Sequence, residues 1–242
     1  MSERAHEVVP RLSIVIPVFD EEGILPASIA GLRDDLSRLG WAYEIVVSEN
    51  GSRDRTVEVA REIEARCPEV RVLSMREANY GRALREGILA ARGEFVICDE
   101  IDLCDADFHR RALEILEHGG ADLVIGSKAT AGSEDQRPLF RVAATQVYNG
   151  ILRALLGFHG TDTHGLKAFR RTALFDVVAA CLSDRDVFAS ELVIRAERAG
   201  VRILEIPVRV VEKRPPTVNL VKRVPRVLSG LARLFVAIRL RG

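Results

Sequence analysis

The 242-residue sequence has few cysteines and no excess of charge of either sign. Its four cysteines, Cys67, Cys98, Cys104 and Cys181, form no Cys-x-x-Cys pair and have no histidine at a zinc-ligand spacing. This pattern favours reduced thiols over a disulfide framework or a structural zinc site. Lysine plus arginine and aspartate plus glutamate number 35 each, so the bulk positive charge typical of nucleic-acid binders is absent. We therefore expect no nucleic-acid partner.

Signals for export and for spanning a membrane are also missing. Residues 1–10 are polar and charged and lack the apolar core of a signal peptide. No stretch reaches the ~18 consecutive apolar residues that a spanning helix needs. We expect a cytoplasmic protein, and a peripheral contact with the inner membrane surface stays open. With 48% hydrophobic residues, the chain can bury a core as one large α/β domain or two small ones.

Short apolar runs alternate with amphipathic segments over the first half of the chain. The apolar runs predict strands at residues 12–18, 43–48, 70–75, 94–98 and 122–125. The segments between them predict helices at residues 22–39, 54–67, 79–92 (closed by Gly93) and 107–118. This alternation predicts a parallel sheet covered on both faces, in which ligands bind at the carboxyl ends of the strands. Residues 17–22, 48–54 and 99–105 then share one rim.

The pattern changes after Gly126. Helices are predicted at residues 138–156, 172–182 and 188–199, and a strand-like segment follows at 201–211. Pro207 in that segment predicts an edge strand or a bend. The basic segment 218–241 has apolar residues near helical spacing, which suits a helix on an anionic membrane surface or one packed on the domain or a partner.

The first two rim loops carry residues suited to a nucleoside. Pro17 and Phe19 can wall a flat base, and Glu21 can accept from a ribose hydroxyl or complement the dipole of the next helix. In the second loop, Gly51 suits a tight turn and Ser52 can cap a helix. Helix capping leaves Glu49 and Asn50, at the end of the predicted strand, without an assigned role.

The third loop concentrates acidic residues directly after an apolar strand. Its acidic members are Asp99, Glu100, Asp102 and Asp105, which repel one another when uncompensated. A divalent cation bridging to a diphosphate would offset that repulsion, because Mg²⁺ and Mn²⁺ favour carboxylate and phosphate oxygens. A solvated acidic turn is the alternative interpretation.

Taken in order, these and later motifs resemble the family 2 glycosyltransferases, and within them the polyprenyl- (dolichyl-) phosphate mannose and glucose synthase branch. The motifs that carry the resemblance are Pro17–Glu21, Ser48–Thr56, Gly81–Glu94, Glu100–Asp102, Gly126–Lys128, Asp162–Arg171 and Glu205–Val208. The resemblance implies a GT-A fold, in which helices flank a Rossmann-like, mostly parallel sheet. It also implies a catalytic domain over residues 1–217 and a basic amphipathic C-terminal helix over residues 218–242.

The resemblance implies an inverting transfer from a nucleotide-diphosphate sugar, a GDP- or UDP-hexose, to a polyprenyl phosphate. The donor would be held by Pro17, Phe19, Glu21, Glu49, Gly51, Ser52, Asn79 and Gly81. Glu100 and Asp102 would hold Mg²⁺ or Mn²⁺ on the diphosphate. Because Glu100 stands where the family has aspartate, a contribution from Asp99 or Asp105 stays open. The base and the sugar stay open.

The acceptor side of this expectation depends on cations. By resemblance, Lys128, Arg141 and Thr145 fall where the branch grips the acceptor phosphate, and Arg214 and Lys222 where a late basic loop reaches over the phosphates. A phosphate monoester, with its second pKa about 6, needs no general base. A soluble hydroxyl acceptor would need one, with Asp186, Glu191 or His164 as candidates. A non-catalytic module that binds sugar nucleotides or a partner is a further alternative.

Overall fold

The computed structural model describes residues 9–130, 132–135, 139–210 and 220–239. Its first half alternates strand and helix as predicted. The elements are β1 (Leu12–Val18), α1 (Leu25–Ser37), β2 (Tyr43–Glu49), α2 (Thr56–Arg66), β3 (Val70–Ser74), α3 (Tyr80–Ala90), β4 (Phe95–Cys98), α4 (Ala106–Glu117) and β5 (Leu123–Ser127). The predicted boundaries are confirmed to within a few residues. Helix ends shift because caps and turns, rather than apolar periodicity, end a helix.

The second half is less regular. It contains β6 (Glu134–Asp135), α5 (Leu139–Leu156), β7 (Lys167–Arg170), α6 (Arg171–Ala180), a short 3₁₀ helix (Arg185–Val187), α7 (Phe188–Arg198), β8 (Ile203–Pro207), β9 (Arg209–Val210) and α8 (Leu220–Arg239). The segment predicted as one strand across Pro207 is two strands, and β8 is an edge strand as its proline indicated.

One large sheet has the strand order β3-β2-β1-β4-β7-β5-β8, and β6 pairs with β9 beside it. Every pairing in the large sheet is parallel except those of β7, which runs antiparallel between β4 and β5. The strands of the first half therefore run parallel to one another, and the sheet is mostly parallel as the resemblance implied, with β7 as its antiparallel strand. Strand β7 has four residues and begins and ends with Lys167 and Arg170, so it contains no apolar run from which a strand could be predicted.

The strands divide the apolar core between the two faces of the sheet. Alternate residues of β1 point to opposite faces, so Leu12 and Ile14 pack with α1, α2 and α4, while Val15 packs with α3, α5, α6, α7 and α8. Gly93 was predicted to end the third helix, but α3 ends earlier, at Ala90. A Cβ at Gly93 would lie 2.7 Å from the Ser13 nitrogen, so close backbone approach is what this position requires.

Helix α8 packs on the body of the protein. Leu231, Leu234 and Ile238 are buried in the part of the core that lies on the α3 side of the sheet. The Arg195 side chain donates to the Ala237 carbonyl at 2.9 Å. One face of α8 is thus covered by the domain, which favours the packed alternative for that face. Within the described residues, no helix is long and apolar enough to cross a membrane.

Candidate active site

The first two rim loops are held to each other by reciprocal hydrogen bonds. The Asp20 N–H donates to the Ser52 hydroxyl at 3.0 Å, and the Arg53 N–H donates back to the Asp20 carboxylate at 2.7 Å. The Glu21 N–H donates to the Thr56 hydroxyl at 2.8 Å. Asp20 has a φ of 53°, which turns the chain from β1 towards this partner loop. The acidic and hydroxyl residues of these loops therefore shape the rim, with Pro17 buried and Phe19 half-buried beside them.

Glu49 lies at the carboxyl end of β2, as predicted, but its side chain is fully buried. Its carboxylate accepts from the Ser52 N–H and from the Ser74 hydroxyl, the latter at 2.7 Å. In this structure Glu49 braces the loop that follows it. Its contact with a nucleoside stays a prediction.

Asn79 connects three loops at this rim. Its backbone N–H donates to the Asn50 side chain, and its side-chain oxygen caps α3 by accepting from the Arg82 N–H at 3.0 Å. The same oxygen accepts from the Arg185 N–H at 2.8 Å, and the amide group donates to Asp184 at 2.9 Å. Asn79 therefore fixes the start of α3 against both the second rim loop and the 3₁₀ segment.

The two glycines predicted to approach the donor each meet the protein's own backbone. Gly51 has a φ of 71°, and a Cβ there would lie 2.8 Å from the Ala78 nitrogen. A Cβ on Gly81 would lie 2.3 Å from the Arg185 carbonyl oxygen. Close backbone contact explains both glycines, and their approach to a diphosphate is untested.

Two aspartates of the acidic third loop are held by hydrogen bonds with α4 and with the loop's own backbone. The Asp99 carboxylate is buried and lies 2.5 Å from Nε2 of the equally buried His109, on α4. Its other oxygen accepts from the Glu100 N–H at 2.7 Å. Asp105 caps α4 by accepting from the Phe108 N–H at 3.0 Å. Asp99 and Asp105 are thus engaged in structural contacts, which leaves Glu100 and Asp102 as the carboxylates of this loop predicted to hold metal.

A narrow recess of about 10 Å³, room for about one water molecule, lies next to Glu100 at the carboxyl edge of the sheet. Its lining also includes Asp105, Gly126, Lys128, His164 and Gly165. Burial raises the pKa of Glu100, Lys128 opposes the shift, and the nearby carboxylates of Asp102 and Asp99 raise it further. The recess therefore brings together Glu100 and Lys128, which lie 28 positions apart in the sequence.

Sequence reasoning missed two titratable groups beside Glu100. Lys167 on β7 is buried, and its Nζ donates to the Gly165 carbonyl at 2.8 Å. Burial lowers the pKa of Lys167, and Cys98, Asp162 and Glu100 oppose that shift. Tyr80, at the start of α3, is 39% exposed as a residue, while desolvation of its phenol group and then Glu100 raise its pKa. Lys167 stands in the motif Asp162–Arg171 but had no assigned role there, and the sequence did not indicate that either residue lies near Glu100.

The segment from Thr161 to Gly165 closes the recess on one side. The Glu205 carboxylate on β8 accepts from the Thr161 N–H at 2.7 Å, and Asp162 accepts from the His164 N–H at 2.8 Å. A Cβ on Gly165 would lie 1.9 Å from the Gly126 carbonyl oxygen, so this crossing needs glycine.

Of the residues predicted to bind the acceptor phosphate, the structure describes only some side chains. Lys128 lines the recess, and Thr145 is half-buried on α5. Arg141 and Lys222 belong to α5 and α8, but their side chains are not part of what the structure describes. Arg214 lies outside the described residues. The structure thus brings Lys128 and Glu100 together, while the other acceptor contacts stay predictions.

The candidate general bases differ in environment. Glu191 is fully buried, and it accepts from the Leu182 and Ser183 N–H groups and from the Arg195 side chain. Burial alone would raise the pKa of Glu191, but these hydrogen bonds outweigh it and lower the pKa. Glu191 is therefore a poor base. The side chain of Asp186 is not described, and His164 lines the recess.

The donor set suits a divalent cation bound together with a substrate. In the described ranges, no three His, Cys, Asp or Glu side chains are grouped as a metal site. Glu100 and Asp102 supply two carboxylates. Mg²⁺ is often held by one or two carboxylates plus phosphate oxygens of the substrate, so two carboxylates fit an ion carried on a diphosphate.

Solved structures share this architecture. The mannosyltransferase PcManGT of Pyrobaculum calidifontis, solved with GDP-Man and Mn²⁺, matches with a TM-score of 0.60 and 21% identity, over 96% of this chain and 65% of that one. Glucosyl-3-phosphoglycerate synthase of Mycobacterium tuberculosis, solved with Mn²⁺, UDP and glucosyl-3-phosphoglycerate, matches with a TM-score of 0.60 and 20% identity, over 95% and 80%. The protein therefore has the GT-A fold.

Sequence comparison gives the family. Residues 13–178 match glycosyl transferase family 2, and the chain belongs to that family. The glycosyltransferase AglD of Haloferax volcanii is 29% identical over 236 residues, which are 95% of this chain but only 38% of AglD. The dolichyl-phosphate hexose transferase of the same organism is 29% identical over 202 residues, 81% of each chain.

Proposed function

We propose that this protein is an inverting hexosyltransferase that moves a hexose from a GDP- or UDP-hexose to a polyprenyl-phosphate-type lipid. The observation that carries the proposal is the recess at the carboxyl edge of the sheet, where Glu100 and Lys128 line one opening. Similarity to a dolichyl-phosphate hexose transferase over 81% of each chain supports the choice of acceptor. The catalytic part falls within residues 1–217.

On the donor side, the loops around Phe19, Glu49 and Asn79 would receive the nucleoside, and the diphosphate would extend towards Glu100. Glu100 and Asp102 would hold Mg²⁺ or Mn²⁺ there. When bound, the ion stabilises the negative charge that develops on the departing diphosphate. Burial raises the pKa of Glu100, and a cation held there would oppose that shift by favouring the ionised carboxylate.

On the acceptor side, an oxygen of the lipid phosphate forms the new bond to the anomeric carbon while the bond to the nucleoside diphosphate breaks. The phosphate is already ionised near neutral pH, so the step requires no proton acceptor. Lys128, with Arg141 and Thr145 from α5, would orient the phosphate, and Arg214 and Lys222 would cover it from the C-terminal side. The low pKa of Glu191 agrees with a reaction that uses no base there.

A soluble hydroxyl acceptor is the second candidate, and one observation favours it. His164 lines the recess, and its Nδ1 lies 3.0 Å from the Thr163 hydroxyl, which lies 2.9 Å from the Ser190 hydroxyl. A histidine oriented in this way can accept a proton from a hydroxyl acceptor. The third candidate function is a non-catalytic module that binds sugar nucleotides.

Product analysis with paired acceptors tests the proposal. The chain is incubated with radiolabelled GDP- and UDP-hexoses, Mg²⁺ or Mn²⁺, and either polyprenyl phosphate or a soluble alcohol. We expect label in the lipid fraction. Transfer to the alcohol alone would establish the second candidate, and donor binding without transfer or hydrolysis would establish the third.

A matched pair of variants locates the acceptor site. Lys128→Ala is expected to raise the KM for polyprenyl phosphate by about tenfold to a hundredfold, because a charge-assisted hydrogen bond contributes about 1.5–3 kcal/mol. Arg66→Ala removes a cation on the surface of α2, with 79% of its side chain exposed, and serves as the control. An unchanged KM in Lys128→Ala, or an equal rise in both variants, would contradict the assignment.

A further inference from the structure

A chain of hydroxyl groups connects helix α5 to His164 at the recess. The Tyr148 hydroxyl of α5 lies 2.9 Å from the Ser190 hydroxyl of α7, and the Ser190 hydroxyl lies 2.9 Å from that of Thr163. The Thr163 hydroxyl in turn lies 3.0 Å from Nδ1 of His164. Three segments that are distant in the sequence therefore converge on one imidazole ring.

The inner members of this hydroxyl chain are shielded from water, whereas its end is not. Thr163 and Ser190 are fully buried, Tyr148 is half-buried against the apolar core, and His164 is exposed. Each buried hydroxyl has the next one as its hydrogen-bond partner. Apolar side chains of similar size would pack there without needing partners, so the network points to a role for the ring that it holds.

The His164 ring is fixed by two further contacts. The Tyr148 ring meets it edge to face, with 5.5 Å between the ring centroids and 66° between the ring planes. The His164 backbone N–H donates to the Asp162 carboxylate at 2.8 Å. The ring is therefore oriented before a ligand arrives. Such a ring suits a binding site, because ordering a side chain during binding lowers affinity.

The ring adjoins residues that are proposed above to orient the acceptor phosphate. His164 and Lys128 both line the recess, and the Asp162 carboxylate that holds His164 also accepts from the Lys128 N–H at 3.5 Å. Thr145 precedes Tyr148 by three residues, so the two lie on the same side of α5. The recess, at about 10 Å³, has room for one oxygen atom of a phosphate rather than for the whole group.

We propose that His164 is a further ligand of the acceptor's phosphate, and that Thr163, Ser190 and Tyr148 are positioning residues that act through it. The hydroxyls donate in one direction, from Tyr148 through Ser190 and Thr163 to Nδ1 of His164. The ring proton then lies on Nε2, which donates to an ionised phosphate oxygen beside Lys128. The inference rests on the proposed function, because it takes the acceptor to be a phosphate monoester.

Calorimetric titration of the full chain with farnesyl phosphate, without any donor, tests the ligand role directly. Farnesol, which has the same chain without the phosphate, is the control ligand. We expect His164→Leu to weaken binding of farnesyl phosphate by about tenfold and to leave binding of farnesol unchanged, because a charge-assisted hydrogen bond is lost. His164→Gln, whose amide also donates, should recover part of the affinity.

Three results would overturn the ligand role. They are unchanged binding of farnesyl phosphate in His164→Leu, an equal loss for farnesol, and a loss of Mn²⁺ affinity that marks His164 as a metal ligand instead. Transfer is not needed for this measurement. Phosphate binding that depends on His164, together with no label in the lipid fraction, would therefore count against the proposed reaction alone.

A double-mutant cycle tests the positioning role. Thr163→Val keeps the size of the side chain and removes its hydroxyl, so binding of farnesyl phosphate should weaken by about threefold in the wild type. The same substitution should cause no further loss in His164→Leu, and additive losses would overturn the positioning role. Thr172→Val, at an exposed position of α6, is the matched control and should leave binding unchanged. Circular dichroism checks that every variant folds.

Discussion

The buried contact between Asp99 and His109 offers a measurement of how the acidic loop is held. His109→Leu keeps an apolar side chain of similar size on α4 but leaves the Asp99 carboxylate, whose side chain is fully buried, without its 2.5 Å partner. The remaining side-chain contact described for Asp99 is the Glu100 N–H, at 2.7 Å. The Asp99 carboxylate would therefore stay buried with one of these two hydrogen bonds removed.

The expected cost follows from the hydrogen bond that is lost. A hydrogen bond to a charged group contributes about 1.5–3 kcal/mol, and a buried acceptor left without its partner bears the upper part of that range. We expect His109→Leu to lower the free energy of unfolding by about 3 kcal/mol. For a chain of this length, that corresponds to a fall in Tm of roughly 6–12 °C.

Urea denaturation followed by circular dichroism measures this change, with constant m-values as the check on two-state unfolding. His118→Leu is the matched control, because His118 is the exposed C-cap residue of the same helix. Its cost should stay within about 0.5 kcal/mol. Asp99→Asn combined with His109→Leu should recover part of the loss, since the neutral amide is cheaper to bury unpaired. A loss below about 1 kcal/mol in His109→Leu would refute the reasoning.

Two further perturbations test the packing beneath the rim. Gly81→Ala should destabilise the protein by about 2 kcal/mol, because the new Cβ would lie 2.3 Å from the Arg185 carbonyl oxygen. The control Gly31→Ala lies inside α1 with nothing within 4 Å, so it should stabilise the protein by about 0.5–1 kcal/mol. Equal shifts in Tm for the two variants would contradict this reasoning. The folded-state pKa of Glu191 lies below its ordinary 4.5, so its stabilisation is present above that pH and is lost as pH falls through the folded value. The free energy of unfolding should therefore fall more steeply between pH 6 and 3 for the wild type than for Glu191→Gln. Parallel curves of this free energy against pH would contradict the assignment of the lowered pKa to Glu191.

The order of strands and helices in the first half could be predicted from the sequence because each element carries its own local signal. The apolar run of β1 and the amphipathic repeats of α1 to α4 are such signals, and they place residues 17–22, 48–54 and 99–105 at the carboxyl edge. Strand β7 lacks that signal. Its place between β4 and β5 depends on backbone pairing with two strands distant in sequence, such as Cys98 with Lys167.

The candidate site shows the same division. The acidic cluster could be singled out because four carboxylates follow an apolar strand closely, and the family resemblance assigned Glu100 and Asp102 within it to the metal. The partners of the acidic loop could not. His109 had a weak signal, since helical spacing groups it with the buried Ala112, Leu113 and Leu116 of α4, but nothing in that spacing indicates a carboxylate opposite it.

The sequence by itself determined the family, the alternation of strand and helix, and the residue types available for a nucleotide sugar, a cation and a phosphate. Tertiary structure alone decided which of those residues share a space. It buried Glu49 within its own loop, placed Lys128 and Lys167 near Glu100, and packed one side of α8 against the core. The physical reason is that hydrophobic patterning acts over a few residues, whereas charge compensation and burial depend on contacts between segments far apart in the chain.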